Sequence, residues 1–174
     1  VRAEKAEGVA AARAREKAWR AVNPEAAALL DVHRERWVPE RIVERLLDGA
    51  AGADATRKLS AATIRKIAPL VPSLVGGSAD LAESNLTTIK DARSFIPEQW
   101  STHEWSRDPY GRVLHFGIRE HAMGAIVNGI VLHGPTRPFG GTFLIFSDYM
   151  RPAVRLAALM NIPSIFVWTH DSVA

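Results

Sequence analysis

From Thr56 onward, segments of helical periodicity alternate with short apolar runs, and the runs close on glycine, serine, histidine or aspartate. This alternation constrains the fold more than any other feature. Strands that short, separated by helices, pair in parallel through helical crossovers. The expected class is α/β, a largely parallel sheet flanked by helices. Residues 57–70 set Leu59, Ile64, Ile67 and Leu70 on one face of an amphipathic helix that Pro72 ends. Residues 73–75 read as a short buried strand followed by Gly76-Gly77. Residues 113–116 and 164–169 read as further strands, and 119–133 and 147–160 as helices. Residues 138–145 read as a glycine-rich turn with a short strand. Between them, 81–112 is a long polar stretch with little periodicity, the kind of loop that usually carries function.

The first fifty residues have a different character. Residues 1–22 are rich in alanine, glutamate, arginine and lysine, with Trp19 as the one large aromatic. Asn23-Pro24 reads as an N-cap followed by proline at the first helical position, opening a second helix that runs to about His33. Residues 39–48 read as a third helix, with Ile42 and Leu46, and beside them Val43 and Leu47, facing inward. Gly49-Ala50-Ala51-Gly52-Ala53 marks the boundary. The chain is thus expected to divide into a helical connector, 1–52, with too few large apolar groups for its own core, and a domain, 53–174.

Composition removes several classes. With no cysteine, a disulfide scaffold, a Cys-ligated zinc site and a thiol nucleophile are all excluded. A net charge of +3 is too small to argue for nucleic acid, and no aromatic residues interleave with Lys58, Arg65 and Lys66. The apolar stretches 122–133 and 153–168 are interrupted by Asn128 and by Arg155, Asn161 and Pro163, and neither reaches the ~20 residues of a membrane span. The N-terminus is charged from Arg2 with no apolar signal region, so a soluble cytoplasmic protein is expected.

Three segments fall at strand ends, where α/β sheets gather their chemistry: Gly76-Gly77-Ser78-Ala79-Asp80, Gly117-Ile118-Arg119-Glu120 and His170-Asp171-Ser172. The P-loop, the G-x-G-x-x-G fingerprint, the H-E-x-x-H pair and the G-x-S-x-G elbow are all missing, and no metal-ligand spacing is found. Glu120 opens an apolar helix after a buried strand. It either complements the helix dipole, or it is a buried carboxylate that needs a hydrogen-bond partner or keeps its proton. Phe143, Phe146 and Tyr149 recur at three-residue spacing, which on one helical face makes an aromatic stripe fit for core packing or for stacking a flat heterocycle. His170 directly follows a strand and suits a structural or an active-site role equally. Arg57 sits in a first helical turn, where a cation opposes the dipole; it is solvated or has an anion partner. Ser84 and Asn85, in the long loop, either bind phosphate or form a turn.

Together these segments are more specific than any one alone. Gly76-Gly77-Ser78-Ala79-Asp80-Leu81, followed by Ser84-Asn85-Leu86-Thr87, resembles the transketolase signature. Phe116-Gly117-Ile118-Arg119-Glu120-His121-Ala122-Met123 resembles that family's cofactor-activating glutamate motif. Thr142-Phe143-Leu144-Ile145-Phe146-Ser147-Asp148-Tyr149 and Thr169-His170-Asp171-Ser172 resemble later motifs in the same order. The resemblance covers 56–174 and implies a pyrimidine-binding domain, truncated, that works with thiamine diphosphate and a divalent metal, magnesium or calcium. The implied reaction moves a two-carbon ketol unit between sugar phosphates, in a homodimer whose active site lies at the subunit interface. It implies that Glu120 hydrogen-bonds the aminopyrimidine ring nitrogen and favours the imino tautomer that deprotonates the thiazolium ring. It implies a pyrimidine pocket of Phe143, Phe146 and Tyr149, with Phe146 as the stacking partner and Asp80 close to the cofactor. Arg57 and Ser84 are implied to bind the sugar phosphate, and His170 to contact substrate beside its reacting hydroxyls. The family's Gly-Asp-Gly…Asn motif, which holds diphosphate and metal, is not in this sequence, so the metal is expected on a diphosphate-binding domain that this sequence lacks. The segment alone is therefore expected to be inactive. A split-transketolase subunit, a dihydroxyacetone synthase, or a non-catalytic module retaining the pocket would carry the same motifs.

Overall fold

The sheet forms around four residues that have no side chains. The computed structural model describes residues 2–35, 37–49 and 52–171. Its helices are α1 (Arg2–Val22), α2 (Pro24–Arg34), α3 (Ile42–Leu47), α4 (Thr56–Ile67), the single turn α5 (Ala82–Asn85), α6 (Glu120–His133) and α7 (Ser147–Leu159). Its strands are β1 (Leu74–Ser78), β2 (Val113–His115), β3 (Arg137–Phe143) and β4 (Ile165–Thr169). All pair in parallel, in the order β2-β1-β3-β4. In the two central strands Gly76 lies opposite Phe139, Gly77 opposite Gly140 and Ser78 opposite Gly141. A Cβ on Gly77 would stand 1.9 Å from the Leu114 carbonyl oxygen, and one on Gly140 would stand 2.8 Å from Met123 Cγ. Space, not turn geometry, requires these glycines. Two sequence expectations are corrected accordingly. The strand expected at 73–75 runs on through both glycines to Ser78, and at 138–145, where a glycine-rich turn with a short strand is expected, the glycines lie within a central strand of seven residues.

Apolar clusters cover both faces of the sheet. On one side α4 and the long loop contribute Ile64, Ala68, Val71 and Ile89, packed with Leu74, Val113 and Phe139. On the other, α6 and α7 contribute Met123, Val127 and Met150, packed with Ala79 and Phe116. Helix α4 stops three residues before the expected end, because Pro69 rather than Pro72 breaks it. Proline at that position lacks the N–H for the Arg65 carbonyl and crowds it. The 81–112 stretch is anchored rather than loose: Asn85, Thr87, Ile89 and Ser94 are all buried, and Phe95 N–H donates to the Val113 carbonyl at 2.9 Å.

The N-terminal helices place no buried residue in either cluster. Helix α1 buries no residue. It is joined to α2 by Arg20, which donates to both Asp31 oxygens at 2.7 and 2.9 Å, and by Arg34, which donates to Glu16 at 2.6 Å. Such solvent-facing pairs contribute under about 1 kcal/mol each. Asn23 occupies the N-cap position of α2, but its side chain does not cap that helix; its amide donates instead to the Trp19 carbonyl at 2.9 Å, closing the end of α1. In α3, Ile42 and Leu46 are half-buried, while Val43 and Leu47 are 63% and 65% exposed, against the inward placement expected for them. Lys66 of α4 reaches back to donate to the carbonyls of Leu46 and Asp48 at 2.9 and 2.6 Å, capping α3. Ala50 and Ala51, at the expected boundary, lie outside the described residues. Among the described residues no helix is long and apolar enough to cross a membrane.

Two glycine substitutions separate space from flexibility. Gly77→Ala is expected to cost at least about 3 kcal/mol in urea unfolding, because a backbone oxygen cannot move aside as a side chain can. Gly129→Ala, in α6 with nothing within 4 Å of its added Cβ, is expected to stabilise by about 1 kcal/mol. Equal effects at the two positions would contradict this account.

Candidate active site

All four strands point their carboxyl ends to one edge, and Arg57, Asp80, Ser84, Glu120, Phe143, Phe146, Tyr149 and His170 lie along it. After Ser78 the chain turns through Asp80, whose φ of 62° is left-handed, into α5. After β2, Gly117 turns at φ 68° and Arg119 donates from Nε to the Phe116 carbonyl at 2.9 Å. Glu120 is therefore delivered as the first residue of α6. Its side chain is buried, at 8% exposure, which agrees with the expectation of burial. It closes a cavity of ≈ 450 Å³ whose other walls are Ala79, Asp80, Leu81, Ile118, Phe146 and Tyr149.

The aromatic stripe exists but not on one helical face. Phe143 ends β3, Phe146 lies in the 3₁₀ turn Leu144–Phe146, and Tyr149 sits in the first turn of α7. The rings still stack, Phe143 on Phe146 at 5.8 Å and 23°, and Phe146 on Tyr149 at 6.0 Å and 27°. Asp171 pins the turn between them by accepting from the Ile145 N–H at 3.0 Å.

A second cluster adjoins the first. Arg57 Nη1 lies 3.2 Å from His170 Nε2 and donates to the Ser84 carbonyl at 3.3 Å. The guanidinium is a permanent donor, so Nε2 accepts and the ring N–H falls on Nδ1. Nδ1 is buried and has no partner. Phe143 joins the clusters, since its ring also meets His170 edge-on at 5.0 Å. The two residues expected around a phosphate, Arg57 and Ser84, thus meet beside His170, expected near the reacting hydroxyls, with one change: Ser84 engages Arg57 through its main chain and not through its hydroxyl. Arg57 has no carboxylate partner among the described residues. Ser172, the last residue of the fourth motif, lies outside the described residues.

Sequence reasoning missed the neighbouring cavity of ≈ 250 Å³, which shares Asp80 and Leu81 with the first and is also lined by Ser84, Trp105 and His115. His115 Nε2 lies 2.9 Å from Ser94 Oγ, and its ring meets Trp105 edge-on at 4.8 Å. Partial desolvation of the ring lowers the His115 pKa, and the Asp80 carboxylate opposes that shift. Its place at the end of β2 was the available signal. Among the described residues no group of three or more metal-ligating side chains comes together.

Residues 53–174 match the family model described as the pyrimidine binding domain of transketolase. The chain belongs to the transketolase family. The transketolase of Mycobacterium tuberculosis is 58% identical over 158 residues, covering 90% of this chain and 23% of the relative. That of Geobacillus stearothermophilus is 48% identical over 158 residues, covering 90% and 22%. Among solved structures, Pichia stipitis transketolase in complex with sedoheptulose-7-phosphate is 42% identical with a TM-score of 0.76, covering 90% of this chain and 23% of that one. The transketolase from Leishmania mexicana is 36% identical with a TM-score of 0.74, covering 92% and 24%. The chain thus spans under a quarter of the length of these transketolases. Their fold agrees with the α/β class expected from the sequence.

An arginine held only by neutral acceptors in a transketolase segment should take an anion. Inorganic phosphate is expected to raise the melting temperature by about 2–4 °C, the equivalent of roughly 1 kcal/mol. Arg57→Met is expected to abolish that rise. An equal rise in the variant would place phosphate elsewhere.

Proposed function

We propose that this chain is the pyrimidine-binding part of a transketolase, an enzyme moving a two-carbon ketol unit between sugar phosphates with thiamine diphosphate. The observation that carries the reading is the buried Glu120 carboxylate closing an apolar cavity beside the stacked Phe146 and Tyr149 rings. The cavity residues fit an aminopyrimidine, a flat polar ring that needs one carboxylate at a ring nitrogen and apolar contact on its faces. With the cofactor bound, thiamine diphosphate supplies a nucleophilic carbon and an electron sink.

The chain's own residues supply orientation and proton placement. Glu120 holds a proton at the pyrimidine ring nitrogen, in a cavity whose apolar walls include Ile118, Phe146 and Tyr149. Phe143 backs Phe146 and fixes the plane of the stack. Asp80 flanks the same cavity close to the cofactor. Arg57 binds the sugar phosphate by charge-assisted hydrogen bonds, with the Ser84 residue fixing the guanidinium. His170, held against Arg57, contacts substrate beside its reacting hydroxyls. The sugar-phosphate complex of the Pichia stipitis relative supports this substrate class.

Diphosphate and the divalent metal belong, in this reading, to a domain with the Gly-Asp-Gly motif, which this sequence lacks. Residues 1–52 are the connector from that domain, and 53–174 the pyrimidine-binding domain. The site is completed across the interface of a homodimer, in the cytoplasm, and the 174-residue chain alone is inactive.

The test is Glu120→Gln in the complete protein, or in this chain complemented with a diphosphate-binding half. Activity is expected to fall by about 10²–10⁴-fold with the fold intact by circular dichroism. Retained activity would remove Glu120 from the chemistry.

A further inference from the structure

Behind the two clusters runs a buried polar chain that none of the assigned roles uses. Asn85 is 0% exposed. Its Nδ2 donates to Ser78 Oγ at 3.1 Å, and its Oδ1 accepts from Thr169 Oγ1 at 2.8 Å. Ser78 Oγ in turn donates to the Gly141 carbonyl at 3.1 Å and accepts from the Leu81 N–H at 3.1 Å. One amide therefore ties the end of β1 to the end of β4, and through Ser78 to β3. Only a side chain that donates on one side and accepts on the other completes this chain.

The residues joined are the peptide neighbours of the groups that hold Arg57. Ser84, whose carbonyl accepts from Arg57, precedes Asn85, and His170, whose Nε2 accepts from the same Nη1, follows Thr169. The turn around Asn85 is also strained. Asp80 and Leu86, on either side of α5, have left-handed φ values of 62° and 57°. A branched residue such as leucine holds that conformation only when its surroundings impose it. The fully buried Asn85 amide is such a surrounding.

We infer that Asn85 is a positioning residue for the phosphate site, fixing through Ser84 and Thr169 both acceptors that aim the Arg57 guanidinium. The inference rests on the proposed role of Arg57 in binding sugar phosphate.

The test uses the complete transketolase carrying this segment, with xylulose 5-phosphate and xylulose as paired donors. The readout is the ratio of kcat/KM for the phosphorylated donor over the unphosphorylated one, which a general loss of packing does not change selectively. Asn85→Asp keeps the shape but loses the donor, and Thr169→Val loses the hydroxyl at nearly constant volume. Each is expected to lower the ratio about tenfold, towards the value in Arg57→Ala, and Thr169→Ser is expected to keep it. A wild-type ratio in both Asn85→Asp and Thr169→Val, with a collapsed ratio in Arg57→Ala, overturns the inference. An unchanged ratio in Arg57→Ala overturns instead the phosphate role of Arg57, and this inference falls with it. If Asn85→Asp does not fold, the contrast between the valine and serine variants at Thr169 decides.

Discussion

The arrangement depends on the absence of side chains at the centre of the sheet. Gly76 and Gly77 in β1 face Phe139 and Gly140 in β3, and each glycine gives space to an atom from elsewhere in the chain. At Gly77 that atom is the main-chain oxygen of Leu114 in β2, and at Gly140 it is the Met123 side chain of α6. At Gly141 it is Thr87, in the turn just after α5. Helix α6 and the 79–89 segment can therefore approach the strands closely. That approach brings Glu120 at the start of α6, and Asp80 beside α5, to the walls of one cavity. Fill the sheet centre with methyl groups, and the cavity walls move without any change to the residues that line them.

Chemically the edge divides into two kinds of environment. Around Glu120 the walls are mainly apolar and aromatic, which raises the energetic cost of leaving the carboxylate without a hydrogen-bonded partner. Around Arg57 the partners are a carbonyl and an imidazole nitrogen, both neutral. Among the described residues neither Glu120 nor Arg57 forms an ion pair, although both lie at the same sheet edge. Both side chains thus lack an oppositely charged partner at that edge, which suits the pyrimidine contact proposed for one and the phosphate contact proposed for the other. The stacked Phe143 and Phe146 rings, with His170 edge-on to Phe143, are the physical link between the two.

Much of this was legible in the sequence, and what was not has a common cause. The helices around Glu120 and Tyr149, the strand before His170 and the burial of Glu120 follow from local periodicity and position. The roles proposed for Arg57 and His170 rest on family resemblance, since first-turn and strand-end positions leave solvated and structural alternatives open. The glycine-bearing strands were misread because glycine looks like a turn locally, while the reason for each one is a distant neighbour. The aromatic spacing was read as helical because three-residue spacing fits one helix, yet here it runs across a strand end, a 3₁₀ turn and a helix. From sequence Asn85 reads as a loop residue for phosphate or a turn, because nothing local signals that its partners are Ser78 and Thr169, the latter 84 residues away. Pro69 is the exception: its effect is local, and it ends α4 three residues before the end that Pro72 would set.

The central claim is that this chain by itself carries the recognition surface for an aminopyrimidine. The most direct measurement is titration of the protein with thiamine, which has the pyrimidine but no diphosphate, followed by amide NMR shifts. The account predicts saturable shifts at Ala79, Leu81, Ile118, Glu120 and Tyr149. It predicts none in the α3–α4 groove lined by Val43, Leu47 and Leu59. Shifts confined to that groove, or none at millimolar thiamine in a folded sample, would contradict it.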